Sequence, residues 1–143
     1  MLGPQDNPAV IDRLRGYRAV LGKDLPDENV VYTGWNSGDG YQAMHQLLAR
    51  EITFDGVLCG SDRIATGVIT ALTEAGLSVP ADVSVIGFDD HEIAARFAPA
   101  LTTVRQPLRE EGHMAASIAL DMIKGAKPTT TVMHMQLIQR DSL

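Results

Sequence analysis

Val79-Pro80-Ala81-Asp82-Val83-Ser84-Val85-Ile86-Gly87-Phe88-Asp89-Asp90 is the stretch whose reading sets the fold. Pro80 and Asp82 mark a turn. The run Val83 to Ile86 has the apolar continuity of a strand buried on both faces, as in parallel sheets. It ends on a glycine, an aromatic ring and two adjacent carboxylates. In an open parallel sheet, ligands settle in the crevice beyond the carboxyl ends of the strands. A short carboxylate there accepts hydrogen bonds from a polyol or a base edge. The other common job for Asp after a strand is to cap the next helix. Two in a row leave room for one of each.

Outward from this strand, helices and strands alternate. Asn7-Pro8 opens a helix whose apolar positions Val10, Leu14, Tyr17 and Leu21 recur at helical spacing until Gly22. A short strand is expected at Val30-Val31-Tyr32. A second helix begins at Ser37-Gly-Asp-Gly40, with Tyr41, Met44, Leu47 and Leu48 inward. Gly56 to Gly60 reads as a strand. A third helix starts at Ser61/Asp62, turns Ile64, Val68, Ala71, Leu72 and Ala75 inward, and stops at Gly76. His91 to Phe97 reads as a short helix, Leu101 to Val104 as a strand and Pro107 to Lys124 as a long amphipathic helix. Thr130 to Ile138 is expected as a closing strand. Such alternation predicts an α/β domain with a parallel, doubly wound sheet. The chain starts on Gly3-Pro4 and a helix, with no strand expected in front.

Composition sets limits on function. The 143 residues amount to one domain, with 45% hydrophobic and 21% charged residues, ordinary for a globular α/β protein. The net charge is −6. Arg13, Arg15 and Arg18 are spread around a helical turn, so no basic face of the kind that binds DNA is expected. Cys59 is the only cysteine, which excludes an internal disulfide. It lies in a strand-like run as a small buried hydrophobe. No apolar stretch reaches membrane-spanning length, and Met1-Leu2 does not open a signal peptide.

Five pieces in order then carry a resemblance: Gly3-Pro4, Ser61-Asp-Arg-Ile-Ala-Thr-Gly67, Ala71 to Pro80, Val83 to Asp90, and Pro99-Ala-Leu-Thr-Thr-Val-Arg-Gln-Pro107. Together they resemble the C-terminal part of a LacI/GalR-family transcriptional regulator, in its effector-binding core. That core is similar to type I periplasmic sugar-binding proteins. The family places an apolar strand ahead of the Gly-Pro, so the chain looks like a truncated piece. The resemblance assigns residues 1–105 and 126–143 to the C-terminal subdomain. Residues 106–125 become a crossover helix of an N-terminal subdomain that is mostly missing.

Site roles follow from the resemblance. Arg13, in Arg13-x-x-Gly16-Tyr17, is the arginine that reaches the effector with its planar fork; the residues alone allow a solvated helical arginine. Trp35 corresponds to an aromatic that stacks on a sugar or purine; it could equally cover the core edge. Ser61 falls in the cleft, with Asp62 as the helix cap. Asp89 is the acid that accepts from effector hydroxyls or amines. Gln106 lines the cleft or lies on the hinge surface. The helices after Ser-Asp and Phe-Asp-Asp pack against two-fold mates in the family, which offers Ile64, Val68, Ile93 and Phe97 as dimer contacts.

Enzyme chemistry finds little purchase. His45, His91, His113 and His134 have no metal-ligand spacing, and Ser61 stands in no nucleophile elbow. The acidic pair Asp89-Asp90 comes too late in the chain for a receiver-type magnesium site. The glycines at 34, 38 and 40 match neither a Walker loop nor a dinucleotide fingerprint. No cofactor and no metal are expected. The expected function is effector sensing, of a sugar or nucleobase-like molecule, and dimerisation in a cytoplasmic transcriptional regulator. It would form a homodimer or larger and reach operator DNA only through a domain outside this chain. A fragment of a periplasmic sugar-binding receptor is the alternative.

Overall fold

The computed structural model describes residues 1–22, 25–50 and 52–143. Helix α1 (Pro8–Leu21) opens where the Asn7 side chain accepts from the Ala9 N–H, and it closes at Gly22, which takes a positive φ. The chain returns through a one-turn 3-10 helix at Asp27–Asn29. Helix α2 (Ser37–Leu48) is opened by a reciprocal capping box between Asn36 and Asp39. Strand β1 (Gly56–Leu58), helix α3 (Asp62–Glu74), strand β2 (Ser84–Asp89) and helix α4 (Glu92–Arg96) come next. Strand β3 (Thr102–Arg105), helix α5 (Leu108–Ile123) and strand β4 (Gln136–Ile138) complete the order.

The sheet runs β1-β2-β3-β4, with the first two pairings parallel and β4 antiparallel to β3. It continues past β1. The Met1 ammonium donates to the Leu58 carbonyl, and the Gly60 N–H donates to the Met1 carbonyl. Leu2 in turn bridges Tyr32 in parallel. The spatial order is therefore Tyr32, Leu2, β1, β2, β3, β4. The chain leaves Leu2 to one side through α1 and crosses to the other side through α2. That reversal makes a doubly wound sheet, with its switch point between Leu2 and β1.

Three expectations need correction. Ahead of Gly3-Pro4, Met1 and Leu2 lie in extended pairing between Tyr32 and β1, reduced to a single bridge at Leu2. Val30 to Tyr32 shrinks to a single bridge. The closing strand is three residues long, and it runs against its neighbour. Its docking depends on the residues just beyond it: the Ser142 hydroxyl donates to the Val85 carbonyl, and Arg140 Nη1 donates to the Leu101 carbonyl.

The main core lies between the sheet and α3. Val57, Cys59, Val83, Val85 and Leu101 meet Ile64, Ala65, Val68, Ile69 and Leu72, and α2 closes the far side with Ala43, Met44 and Leu47. A second cluster, Leu2, Val10 and Leu14, holds α1. Nine of the 13 residues of α3 are buried, so its free face is a narrow stripe of Arg63, Thr70, Thr73 and Glu74. This overturns two of the dimer contacts. Ile64 and Val68 are both 0% exposed within the chain itself and cannot meet a partner. Phe97 also packs partly against the core, which leaves Ile93, 38% exposed, as the outward one of the four.

Candidate functional site

Four chain crossings end at one edge of the sheet. Leu2 leads into Gly3, β1 into Gly60-Ser61, β2 into Asp89 and β3 into Gln106. Register fixes the last two together: Asp89 lies opposite Arg105, one residue before Gln106. Gln106 Nε2 donates to Asp89 Oδ1 at 2.5 Å. From α1, Arg13 reaches over the same edge. Its Nη1 donates to the Gly60 carbonyl at 2.9 Å, and its guanidinium carbon stands 3.7 Å from the centroid of the Phe88 ring. Arg13 is thus braced between the ends of β1 and β2, and a stacked, hydrogen-bonded guanidinium keeps a fixed orientation. Burial pushes the Asp89 carboxyl above its ordinary value, against the Gln106 hydrogen bond and the nearby positive charge of Arg13.

Trp35 shares this edge. Its indole lies so close over Gly3 that a Cβ there would collide with the ring, and Gly3 in turn adjoins Gly60. The residue still keeps 37% of its surface exposed. It therefore covers the core margin and presents an aromatic surface, so the two roles raised for it are compatible.

Ser61 takes the capping role expected of Asp62, and Asp62 turns inward rather than to the cleft. Ser61 is the N-cap of α3, its Oγ accepting from the Ile64 N–H, and it is buried. Its remaining capacity for a ligand is its hydroxyl proton. Asp62 is fully buried and caps nothing on its own helix. It accepts from the Thr103 hydroxyl and, at 2.6 Å, from the His91 N–H. Burial raises the Asp62 carboxyl, and the charges of Asp89 and Asp90 add to that.

Asp90 is no helix cap either. His91 stands at the N-cap of α4 without a side-chain hydrogen bond. Asp90 instead accepts from Arg140 Nη2 at 2.6 Å and Arg105 Nε at 2.5 Å. Burial alone would raise its carboxyl, but the two arginines outweigh burial and hold it below its ordinary value. Thr103, Arg105 and Arg140 hold Asp90 at this edge, and the sequence did not single them out. The proximity of Arg140 to a carboxylate 50 positions away leaves no local signal.

The edge opens beside Asp89 into a concavity of about 450 Å³. Gln106, Leu108, Arg109, His134 and Gln136 help to line it. A second, more apolar recess of about 470 Å³ lies at the amino ends of the strands, near Leu14, Tyr17, Gly56 and Ser84. The carboxyl edge is the better candidate because Asp89, Gln106 and Arg13 come together there, although Arg13, Trp35 and Ser61 stand outside the lining of the concavity itself. It offers a carboxylate acceptor, an arginine fork, a carboxamide and an aromatic face, a set suited to a polyhydroxylated or base-like molecule. Among the described residues, no three His, Cys, Asp or Glu side chains gather as a metal site.

Comparison with known proteins agrees with this fold. The chain matches the periplasmic binding protein-like domain over residues 1–143. It is 38% identical over 138 residues to the ribose operon repressor of Escherichia coli strain K12, covering 94% of this chain and 41% of that protein. It is 42% identical over 121 residues to the HTH-type transcriptional repressor PurR of Yersinia enterocolitica, covering 83% of this chain and 36% of that one. A solved sugar-binding transcriptional regulator of the LacI family from Escherichia coli, complexed with phosphate, superposes with a TM-score of 0.92 at 34% identity. That match covers 99% of this chain and 52% of the other. The chain thus spans about four-tenths of the length of the curated relatives. Sheet order and family match converge: the chain belongs to the periplasmic binding protein-like domain family, in the form that LacI-family regulators share.

Proposed function

We propose that this chain senses a small effector, a sugar or a nucleobase-like molecule, for a cytoplasmic transcriptional regulator. The carrying observation is the braced trio at the carboxyl edge: Asp89 held by Gln106, with Arg13 locked over Phe88. Asp89 and Arg13 would bind ligand hydroxyls or ring heteroatoms, Trp35 would lie against a flat face, and Ser61 and Gln106 would contribute secondary contacts. The names of the ribose repressor and of the sugar-binding regulator favour a sugar. Nothing in the edge pairs a nucleophile with a base, and the relatives are repressors, so a non-enzymatic role is the better reading. Control of operator DNA would run through residues beyond this chain. A ligand that prefers one arrangement of the two subdomains would change how a dimer holds DNA, coupling two sites through two states.

Calorimetry tests the assignment. D-ribose, other pentoses and hexoses, and purine bases are titrated into a protein carrying this chain. Asp89→Ala and Arg13→Ala should each weaken the effector that binds by about 1–3 kcal/mol, because its polar groups lose a buried partner. Undiminished affinity in both variants would remove these residues from the site.

A further inference from the structure

The backbone that presents Asp89 is unusual. Asp89 has φ +112° and Asp90 φ +55°, consecutive left-handed conformations in residues that carry a Cβ. Such conformations persist only where the surroundings over-determine them. Side chains from two other elements supply that restraint. Asp62, at the start of α3, takes the His91 N–H on Oδ2 and the Thr103 hydroxyl on Oδ1. Thr103, inside β3, takes the Asp90 N–H on its own Oγ1 at 3.3 Å. The two amides that come after Asp89 are thus both pinned, one by each residue. Room for this arrangement is made in β2 itself: a Cβ at Gly87 would collide with Asp62 Oδ1 and lie 2.7 Å from Leu101 Cδ2. Asp62 and Thr103 are both fully buried, so neither touches a ligand directly.

We infer that Asp62 and Thr103 are positioning residues, a buried bolt that sets the Asp89–Asp90 turn and thereby the place of the Asp89 carboxylate at the edge site. The inference rests on the effector reading only for what Asp89 contacts; the bolt itself is a property of the turn. Its alternative is that Asp62 and Thr103 merely fill the space between α3 and the sheet. In that case their loss would lower stability and leave the turn as it is.

Nuclear magnetic resonance separates the two. In the wild-type chain, a scalar coupling across the hydrogen bond should link the His91 amide nitrogen to the Asp62 carboxyl carbon; its absence overturns the bolt without any variant. Thr103→Val keeps the buried shape and deletes the hydroxyl. It should displace the Asp89, Asp90 and His91 amide resonances, and Thr103→Ser should restore them. Unmoved resonances in Thr103→Val, or a Thr103→Ser variant that behaves like it, refute the inference. If Thr103→Val does not fold, the wild-type coupling alone decides. With D-ribose as probe, Thr103→Val should bind roughly five- to hundredfold more weakly than wild type, and Thr103→Ser near wild type. A coupling and a displaced turn, with no ribose binding even in wild type, would uphold the bolt and count against ribose alone.

Discussion

Asp89 and Asp90 are the same residue type at neighbouring positions, and the fold drives their carboxyls in opposite directions. Asp89 is raised by burial, whereas Asp90 is lowered because Arg140 and Arg105 outweigh its burial. The sign for stability follows from linkage. A lowered carboxyl contributes stability above its unfolded value, about 3.9 for Asp, and loses it as pH falls through the lowered folded value. Asp90→Asn should therefore destabilise at neutral pH by about 1–3 kcal/mol, since it leaves Arg140 partly buried beside a neutral group. The gap from wild type should narrow below about pH 4, near the unfolded carboxyl value. Urea unfolding at pH 7, 5 and 3 checks this, and a gap that widens in acid would refute the assignment. The place of Asp89 could be read from the sequence, because a buried strand must end somewhere and its last polar residue faces the crevice. The division of labour between Ser61 and Asp62 could not. Both are good N-caps, and only the way α3 leaves β1 decides which oxygen meets the Ile64 N–H.

Between elements, the motif Ser61-Asp-x-x-Ala65-x-Gly67 becomes a packing device. Ser61 caps α3, Asp62 reaches β3, and Ala65 is fully buried. At Gly67 a Cβ would collide with the Ser37 carbonyl, and at Gly40 with the Ile64 carbonyl. The two glycines let α2 and α3 cross backbone to backbone. Gly16, in the middle of α1, has open space where its Cβ would stand. The same substitution should then have opposite effects. Gly67→Ala forces the helices apart and should cost about 1–3 kcal/mol or more, as overpacking does. Gly16→Ala should stabilise by about 0.5–1 kcal/mol through helix propensity. Thermal unfolding of the pair reads both, and equal shifts would contradict the crossing. Helix positions were legible because caps and 3.6-residue spacing are local signals. The antiparallel course of β4 and the single bridge at Tyr32 were not, since strand direction depends on partners distant in sequence.

At the scale of the molecule, α5 stands apart from the rest. None of its 16 residues is buried, while α3 of 13 residues buries nine. Yet its sequence is amphipathic, with Leu108, Ala115, Ile118 and Met122 along one stripe; Leu108 is 62% exposed and Met122 45%. Leu120 and Ile123 add further apolar surface, Ile123 at 82% exposure. Monomers seldom tolerate contiguous apolar patches of this kind. Each aliphatic side chain fully covered there is worth roughly 1.5–3 kcal/mol, so a neighbour is strongly favoured over water. The net charge of −6 opposes association only weakly at physiological salt, where its field is screened within about 8 Å. The chain by itself should therefore assemble through α5 rather than through Ile64 and Val68, which its own core consumes. Static light scattering should report more than one chain per particle. Ile118→Glu or Met122→Glu should reduce that mass, while Ile93→Glu, on the outward side of α4, should change it less. A monodisperse monomer for the unsubstituted chain would refute the argument, because the stripe would then be stable in water without cover.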